Sequence, residues 1–324
     1  MRPSIAGAKI LVTGGAGFIG SHLVDRLVEE GAQSVVVLDN LFLGRVENLA
    51  GAIAKGVTFI RDDAELDGTL EYVLTQHPAD IVFNCATKAL NYSFVNPANA
   101  YMTNVRIIGH LLELQRRGLF STLCHFSSSE VYGTAVYEPM DENHPYRATT
   151  TYAAGKAAAD VMLFSYVQQY GLDSFIVRPF NNYGPRQSWV GPLAGIIPAT
   201  ARRVLCGASP EIHGSGEQSR DFILVSDTVD AIIKLFGVLA AGEAVNISTH
   251  GQITVSDLVT MIVAELGYTG KILRKPRRPA DVFTHNASNA KMMSLIDFQP
   301  TPFAEGLHRT LSWYTDNIDP KEFL

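Results

Sequence analysis

The chain has 324 residues, about twice a common domain length, which suits one large α/β unit with a subsidiary lobe. Apolar residues make up 47% and charged residues 18%, with a formal net charge of −6, which argues against a general nucleic-acid or membrane-surface role. The longest apolar stretches are strand-length or broken by charge, as Lys234 breaks 231–241, and the three cysteines have no paired spacing; neither a signal peptide nor a membrane span is read, and a reducing cytoplasm is the expected location.

The first apolar run, 9–13, leads into Gly14-Gly-Ala-Gly17-Phe18-Ile19-Gly20 and then an amphipathic stretch over 21–30. Such a strand-to-helix turn is too tight for side chains, so backbone N–H groups and the positive end of the helix face a pyrophosphate. A second apolar run, 34–38, ends in Asp39, about twenty residues on, where an acidic group can hydrogen-bond a ribose 2′-hydroxyl. That pairing points to NAD rather than NADP.

Further strand-like runs at 57–60, 79–84, 122–127 and 174–177 are separated by helical patterns at 67–76, 97–117 and 152–170. The order predicts an α/β fold, a Rossmann-type doubly wound parallel sheet with ligand chemistry outside the carboxyl ends of its strands. After Arg178-Pro179 the pattern loosens under Pro185, Pro192, Pro198 and Pro210, and a smaller C-terminal lobe is expected to begin. Runs at 229–240 and 245–247 look like a return to the main sheet. The division read from the sequence is therefore a dinucleotide-binding part over 1–178 with 222–250 returning to it, and a lobe from 179–221 and 251–324.

Tyr152-Ala-Ala-Gly-Lys156 opens a long helix, with phenol and ammonium one turn apart on the same face. A neighbouring ammonium and a positively charged nicotinamide both favour the phenolate, which can then take a proton from a sugar hydroxyl. Alone, this spacing also describes an ordinary exposed pair. Ser127-Ser128-Ser129-Glu130 leaves the strand 122–127 at the sheet edge of the cofactor; its serines suit either turn capping or, for Ser128, a hydrogen bond to the reacting hydroxyl, with Glu130 as acid or base. The nine histidines have no paired helical spacing, and no metal site is read.

Together Gly14-x-x-Gly17-x-x-Gly20, Asp39-Asn40, Ser128-Ser-Glu-Val-Tyr-Gly133, Tyr152-x-x-x-Lys156 and Arg178-Pro-Phe-Asn-Asn-Tyr-Gly-Pro-Arg186 resemble the extended short-chain dehydrogenase/reductase family, the NAD-dependent nucleotide-sugar epimerases, dehydratases and decarboxylases. The resemblance runs from Lys9 to the region of Trp313. It implies a catalytic set of Ser128, Ser129, Glu130, Tyr152 and Lys156. It implies NAD contacts from Gly14, Gly17, Phe18, Ile19, Gly20, Asp39, Asn40, Lys88, Tyr152 and Lys156, with Asp62 near the adenine. It further implies that the C-terminal lobe grips a nucleotide-diphosphate sugar through Lys88, Ser128, Asn181, Arg186, Arg220 and Arg278, where arginine forks suit phosphate oxygens. A homodimer formed through the helices at 97–117 and 152–170 is a further implication.

Every reaction of such a family starts by oxidising the sugar at C4. Glu130 favours a 4,6-dehydratase, because a base is then needed to remove the C5 proton next to the ketone. A 4-epimerase and a UDP-glucuronate decarboxylase remain open, as does a catalytically silent NAD-binding sensor. Two departures from the family pattern stand out: Thr87 and Lys88 replace small residues, and Gly155 replaces the usual serine inside the first turns of a helix, where glycine costs about 1 kcal/mol relative to alanine.

Overall fold

Alternation of side chains across the strands builds two apolar layers, one on each face of a central sheet. In β1 (Lys9–Thr13), Ile10 and Val12 join one layer and Leu11 the other. This is seen in a computed structural model that describes residues 2–277, 284–319 and 321. After β1 come α1 (Phe18–Glu29), β2 (Ser34–Leu38), α2 (Ala50–Ala54), β3 (Thr58–Ile60), α3 (Thr69–Gln76) and β4 (Ile81–Asn84). Then follow α4 (Pro97–Arg116), β5 (Thr122–Phe126), α5 (Thr151–Tyr170) and β6 (Asp173–Pro179).

The remaining chain folds into β7 (Asn181–Tyr183), α6 (Ile196–Leu205), β8 (Glu211–His213), β9 (Ser219–Arg220), β10 (Phe222–Leu224), α7 (Val225–Phe236) and β11 (Ala244–Ile247). It continues through β12 (Ile253–Thr254), α8 (Val255–Glu265), β13 (Leu273–Lys275), β14 (Thr284–His285), α9 (Ala290–Leu295) and α10 (Phe303–Asn317).

The central sheet has seven strands in the order β11-β6-β5-β4-β1-β2-β3, and every pairing is parallel. Strand order reverses between β1 and β4, so the segments leaving these two strands part and open a crevice at the carboxyl edge. Leu23 and Leu27 of α1 and Ile232 and Phe236 of α7 fill one layer; Leu70 of α3, Ile108 and Leu112 of α4 and Leu163 of α5 fill the other. This is the doubly wound sheet the alternating pattern implies. The return to it is made by β11, which pairs with β6, whereas β10 pairs with β7 outside it.

Beyond β6, among the described residues, the small sheets β10–β7 and β12–β9–β14 pack with α6, α8 and α10 around a separate core that includes Trp189, Ile197, Phe222, Leu258 and Leu311, while β13–β8 sets Ile212 in a smaller cluster with Val255 and Val259 of α8. None of the described helices is long and apolar enough to cross a membrane.

Gly155 has a packing cause. A Cβ there would lie 2.6 Å from the carbonyl oxygen of Tyr101 and 3.0 Å from its Cα, so the backbones of α4 and α5 meet at this residue. The helix-propensity cost of glycine is the condition for that approach.

Candidate active site

At the crevice, the turn after β1 is tied to β2 by the Gly14 N–H, which donates to the Leu38 carbonyl at 2.8 Å. Gly14 has φ +70°, and a Cβ on Gly20 would lie 2.2 Å from the Gly14 carbonyl oxygen, so neither position admits a side chain. Gly17 caps α1 without a side-chain hydrogen bond, which leaves the first helical N–H groups and the positive end of the dipole for an anion. Asp39, 8% exposed, is oriented by backbone donors, the Ala16 N–H at 2.9 Å, the Leu41 N–H at 2.8 Å and the Gly17 N–H. Burial raises its pKa while those donors pull it down. Asn40 donates to Asp63 at 2.8 Å, and Asp62 stands exposed at the rim. A bare turn, an open helix terminus and an oriented carboxylate fit a dinucleotide.

A cavity of about 410 Å³ continues from this turn to the carboxyl ends of β4, β5 and β6, and it collects Gly14, Gly17, Phe18, Ile19, Gly20, Asp39, Asn40, Asp62, Lys88, Ser128, Ser129, Glu130, Tyr152, Lys156, Asn181 and Arg186. Thr150 caps α5 by accepting the Ala153 N–H at 3.2 Å, which sets Tyr152 and Lys156 in the first two turns. Lys156 is 1% exposed and donates to the Phe126 carbonyl at 2.6 Å; burial lowers its pKa to about 8 against the pull of Asp160 one turn on.

Burial also dominates at Tyr152, pushing it up to about 12; hydrogen bonds with Ser128 and Thr87 pull it down and the Glu130 charge pushes it up. The immediate partners of the phenol are thus two hydroxyls. Ser128 in turn accepts the Glu130 N–H at 3.2 Å. Lys88 is buried in the same cavity with its ammonium 4.1 Å from the centre of the Phe42 ring.

A second cavity, of about 490 Å³, shares Leu90, Glu130, Asn181, Gln187, Leu193 and Gly195 with the first and extends to Arg203, Glu211, His213 and Arg220. Asn181 is fixed there by its N–H and Nδ2, both donating to the Asp221 carbonyl at 3.1 Å. Arg220 donates to the Ser219 carbonyl at 2.9 Å. Arg186, grouped above with the substrate contacts, does not line this second cavity; it sits by α1, ion-paired to Asp25 at 2.7 Å, with φ +66°. Arg278 lies outside the described residues.

Three features escaped the sequence reading. Thr87 stood out only as a departure, yet it touches the phenol of Tyr152 and donates to Asn104 Oδ1 of α4 at 2.9 Å, Asn104 being held by the Ala100 carbonyl at 3.0 Å. His285, fully buried, bonds the Ser129 carbonyl through Nε2 at 3.2 Å and so braces the loop that follows β5 from 156 residues away. Arg178 is buried against Asp160 at 3.0 Å, donates to the Tyr132 hydroxyl at 2.8 Å and bonds Tyr146 as well. A charged residue ending an otherwise apolar strand was the available signal for this last network.

Fold and site define a doubly wound dinucleotide-binding protein with a Ser-Tyr-Lys set between its cofactor crevice and a second, polar cavity. The family model for GDP-mannose 4,6-dehydratase matches residues 11–310. A UDP-glucose 4-epimerase of Mycolicibacterium smegmatis is 33% identical over 310 residues, 94% of this chain and 98% of the relative. Among solved structures, a UDP-glucose 4-epimerase of Thermotoga maritima with UDP-glucose aligns with TM-score 0.90 at 31% identity, covering 96% of this chain and 99% of that one. A dTDP-glucose 4,6-dehydratase of Streptomyces venezuelae with NAD bound aligns with TM-score 0.89 at 29% identity, covering 95% and 97%. The chain belongs to the GDP-mannose 4,6-dehydratase family of extended short-chain dehydrogenases/reductases.

Proposed function

We propose that the protein is an NAD-dependent enzyme that dehydrates a nucleotide-diphosphate sugar at C4, C5 and C6. The observation that carries this reading is Glu130, which lines both cavities and whose charge acts on the buried phenol of Tyr152. NAD, when bound, supplies the hydride acceptor for the sugar C4. Tyr152 takes the proton of the C4 hydroxyl, and Ser128 orients that hydroxyl from the other side. The Lys156 ammonium, anchored on the Phe126 carbonyl, stabilises the phenolate electrostatically. In the resulting 4-keto sugar the C5 proton is acidified by the adjacent carbonyl; Glu130 removes it and delivers it to the C6 hydroxyl, which departs as water, after which C6 regains the hydride taken from C4 and C5 regains a proton, so that the net change is the loss of one water. Arg220 and Asn181 hold the diphosphate in the second cavity.

A 4-epimerase is the second reading. It is favoured by the similarity to 4-epimerases across nearly the whole chain and by Ser129, which is 4% exposed and gives Glu130 no carboxylic-acid neighbour to protonate a leaving hydroxyl. Product analysis separates the two: dehydration removes one water from the sugar, and epimerisation leaves its mass unchanged. We infer in addition a homodimer through α4 and α5, whose Met102 and Val161 are exposed.

A further inference from the structure

Two hydroxyls bracket the phenol of Tyr152: Ser128, from the segment after β5, and Thr87, from the segment after β4. In the function proposed above Ser128 orients the C4 hydroxyl of the sugar, and a serine hydroxyl has a single proton to give. The Lys156 ammonium is drawn to the Phe126 carbonyl at 2.6 Å. With Tyr152 ionised and the sugar in place, Thr87 is therefore the hydroxyl left to donate to the phenolate oxygen.

The surroundings of Thr87 suit that task. Its Oγ1 lies 2.9 Å from Asn104 Oδ1 and 3.1 Å from the Lys88 carbonyl oxygen, and both of these only accept. Asn104 of α4, 2% exposed, donates through Nδ2 to the Ala100 carbonyl at 3.0 Å, which turns its Oδ1 towards Thr87. Beside a neutral phenol, the Thr87 proton goes to Asn104 and the Thr87 oxygen accepts from Tyr152. Once the phenol has lost its proton, the same contact is a hydrogen bond only if Thr87 donates. A charge-assisted bond to a phenolate is roughly twice as strong as a neutral one to an amide oxygen, so the hydroxyl turns. The same segment also fixes its target, because Ser93, further along it, accepts the Tyr152 N–H at 3.0 Å.

We propose that Thr87 is an additional residue of the proton-transfer step, a hydroxyl held by Asn104 that donates to the Tyr152 phenolate while Ser128 serves the sugar. The proposal rests on reading Tyr152 as the base. As the phenolate takes the proton of the C4 hydroxyl, the new phenol donates to Thr87 and the Thr87 hydroxyl turns back to Asn104, so Thr87 ends with the proton it began with. The other titratable groups around Tyr152 are Lys156 and Asp160 on its own helix, Glu130 after β5, and Cys85 and Lys88 after β4. Thr87→Val leaves all of them in place and keeps the shape of the side chain.

NMR of the NAD-loaded protein, isotope-labelled at the tyrosine Cζ, tests the proposal without a substrate. The Tyr152 signal is identified by its loss in Tyr152→Phe and followed between about pH 6 and about pH 10, where the positive charge of the nicotinamide favours the phenolate. Thr87→Val is expected to lower the ionisation constant of Tyr152 about tenfold, and Thr87→Ser to keep it within about threefold of the wild type, with the unfolding midpoints of both variants checked. An unchanged or larger constant in Thr87→Val, or an equal fall in Thr87→Ser, would overturn the role of Thr87 and leave Tyr152 standing as the base. A wild-type Tyr152 that stays a phenol across the whole range would overturn both.

Discussion

Gly155→Ala sets two physical effects against each other at the helix that carries Tyr152 and Lys156. By helix propensity alone, alanine should stabilise α5 by about 1 kcal/mol. The added methyl would sit 2.6 Å from the Tyr101 carbonyl oxygen and 3.0 Å from its Cα, where ordinary contact begins near 3.4 Å. Those atoms are backbone of α4 and cannot rotate aside, so the helices must separate by about 1 Å, an overpacking that typically costs 1–3 kcal/mol. A net loss of up to about 2 kcal/mol is expected, with a fall in kcat because Tyr152 moves with α5. Gly109→Ala in α4 is the control: its methyl would lie 3.6 Å from the Met162 sulfur, an ordinary contact, and only the propensity gain should appear. Urea unfolding midpoints of the two variants decide the matter, and the reasoning is refuted if Gly155→Ala stabilises the protein as Gly109→Ala does.

Tyr152→Phe should lower kcat by about 10²–10⁴ while leaving NAD affinity within a few-fold of wild type, since it removes the proton acceptor and not the cofactor turn; turnover that survives would remove Tyr152 from the proposed chemistry. Asp39→Ala should weaken NAD binding by about tenfold or more, read by fluorescence titration, because it deletes the oriented carboxylate and frees the Ala16 and Leu41 N–H groups it holds; unchanged affinity would contradict the assignment. Burial lowers His285 to about 3 and His22 to about 4, and holds His125 well below its usual value. Their folded values lie below the unfolded value near 6.5, so their contribution to stability is complete above that pH and lost as pH falls through 4 to 3. Urea midpoints should therefore drop between neutrality and pH 4, and His285→Gln should make the drop shallower; an identical slope in the variant would refute the role given to His285.

The sheet was legible because its strands are apolar, separated by helical patterns and bounded by glycine or polar residues, and its expected runs differ from the observed strands mainly at their ends. The glycine turn, Ser128–Glu130 and Tyr152 with Lys156 were legible for the same reason, since each is a local pattern at the end of a strand or the start of a helix. Contacts made by distant segments were not. Nothing near His285 in the chain announces that it braces Ser129, and the Asp25 partner of Arg186 is known only once α1 lies against that loop. Thr87 changed from a departure to a partner of Tyr152 when the segment after β4 met α5. The small sheets beyond β6 were hidden because their strands are two or three residues long, too short to show a period. Gly155, without a cause in its own helix, has one in the neighbouring helix.

Mass analysis of products after incubating the NAD-loaded protein with GDP- and UDP-linked hexoses, N-acetylhexosamines and glucuronate tests the central claim most directly. The account predicts a nucleotide sugar lighter by one water, abolished by Glu130→Gln. A product of unchanged mass with an inverted C4, or one that has lost carbon dioxide, would contradict it.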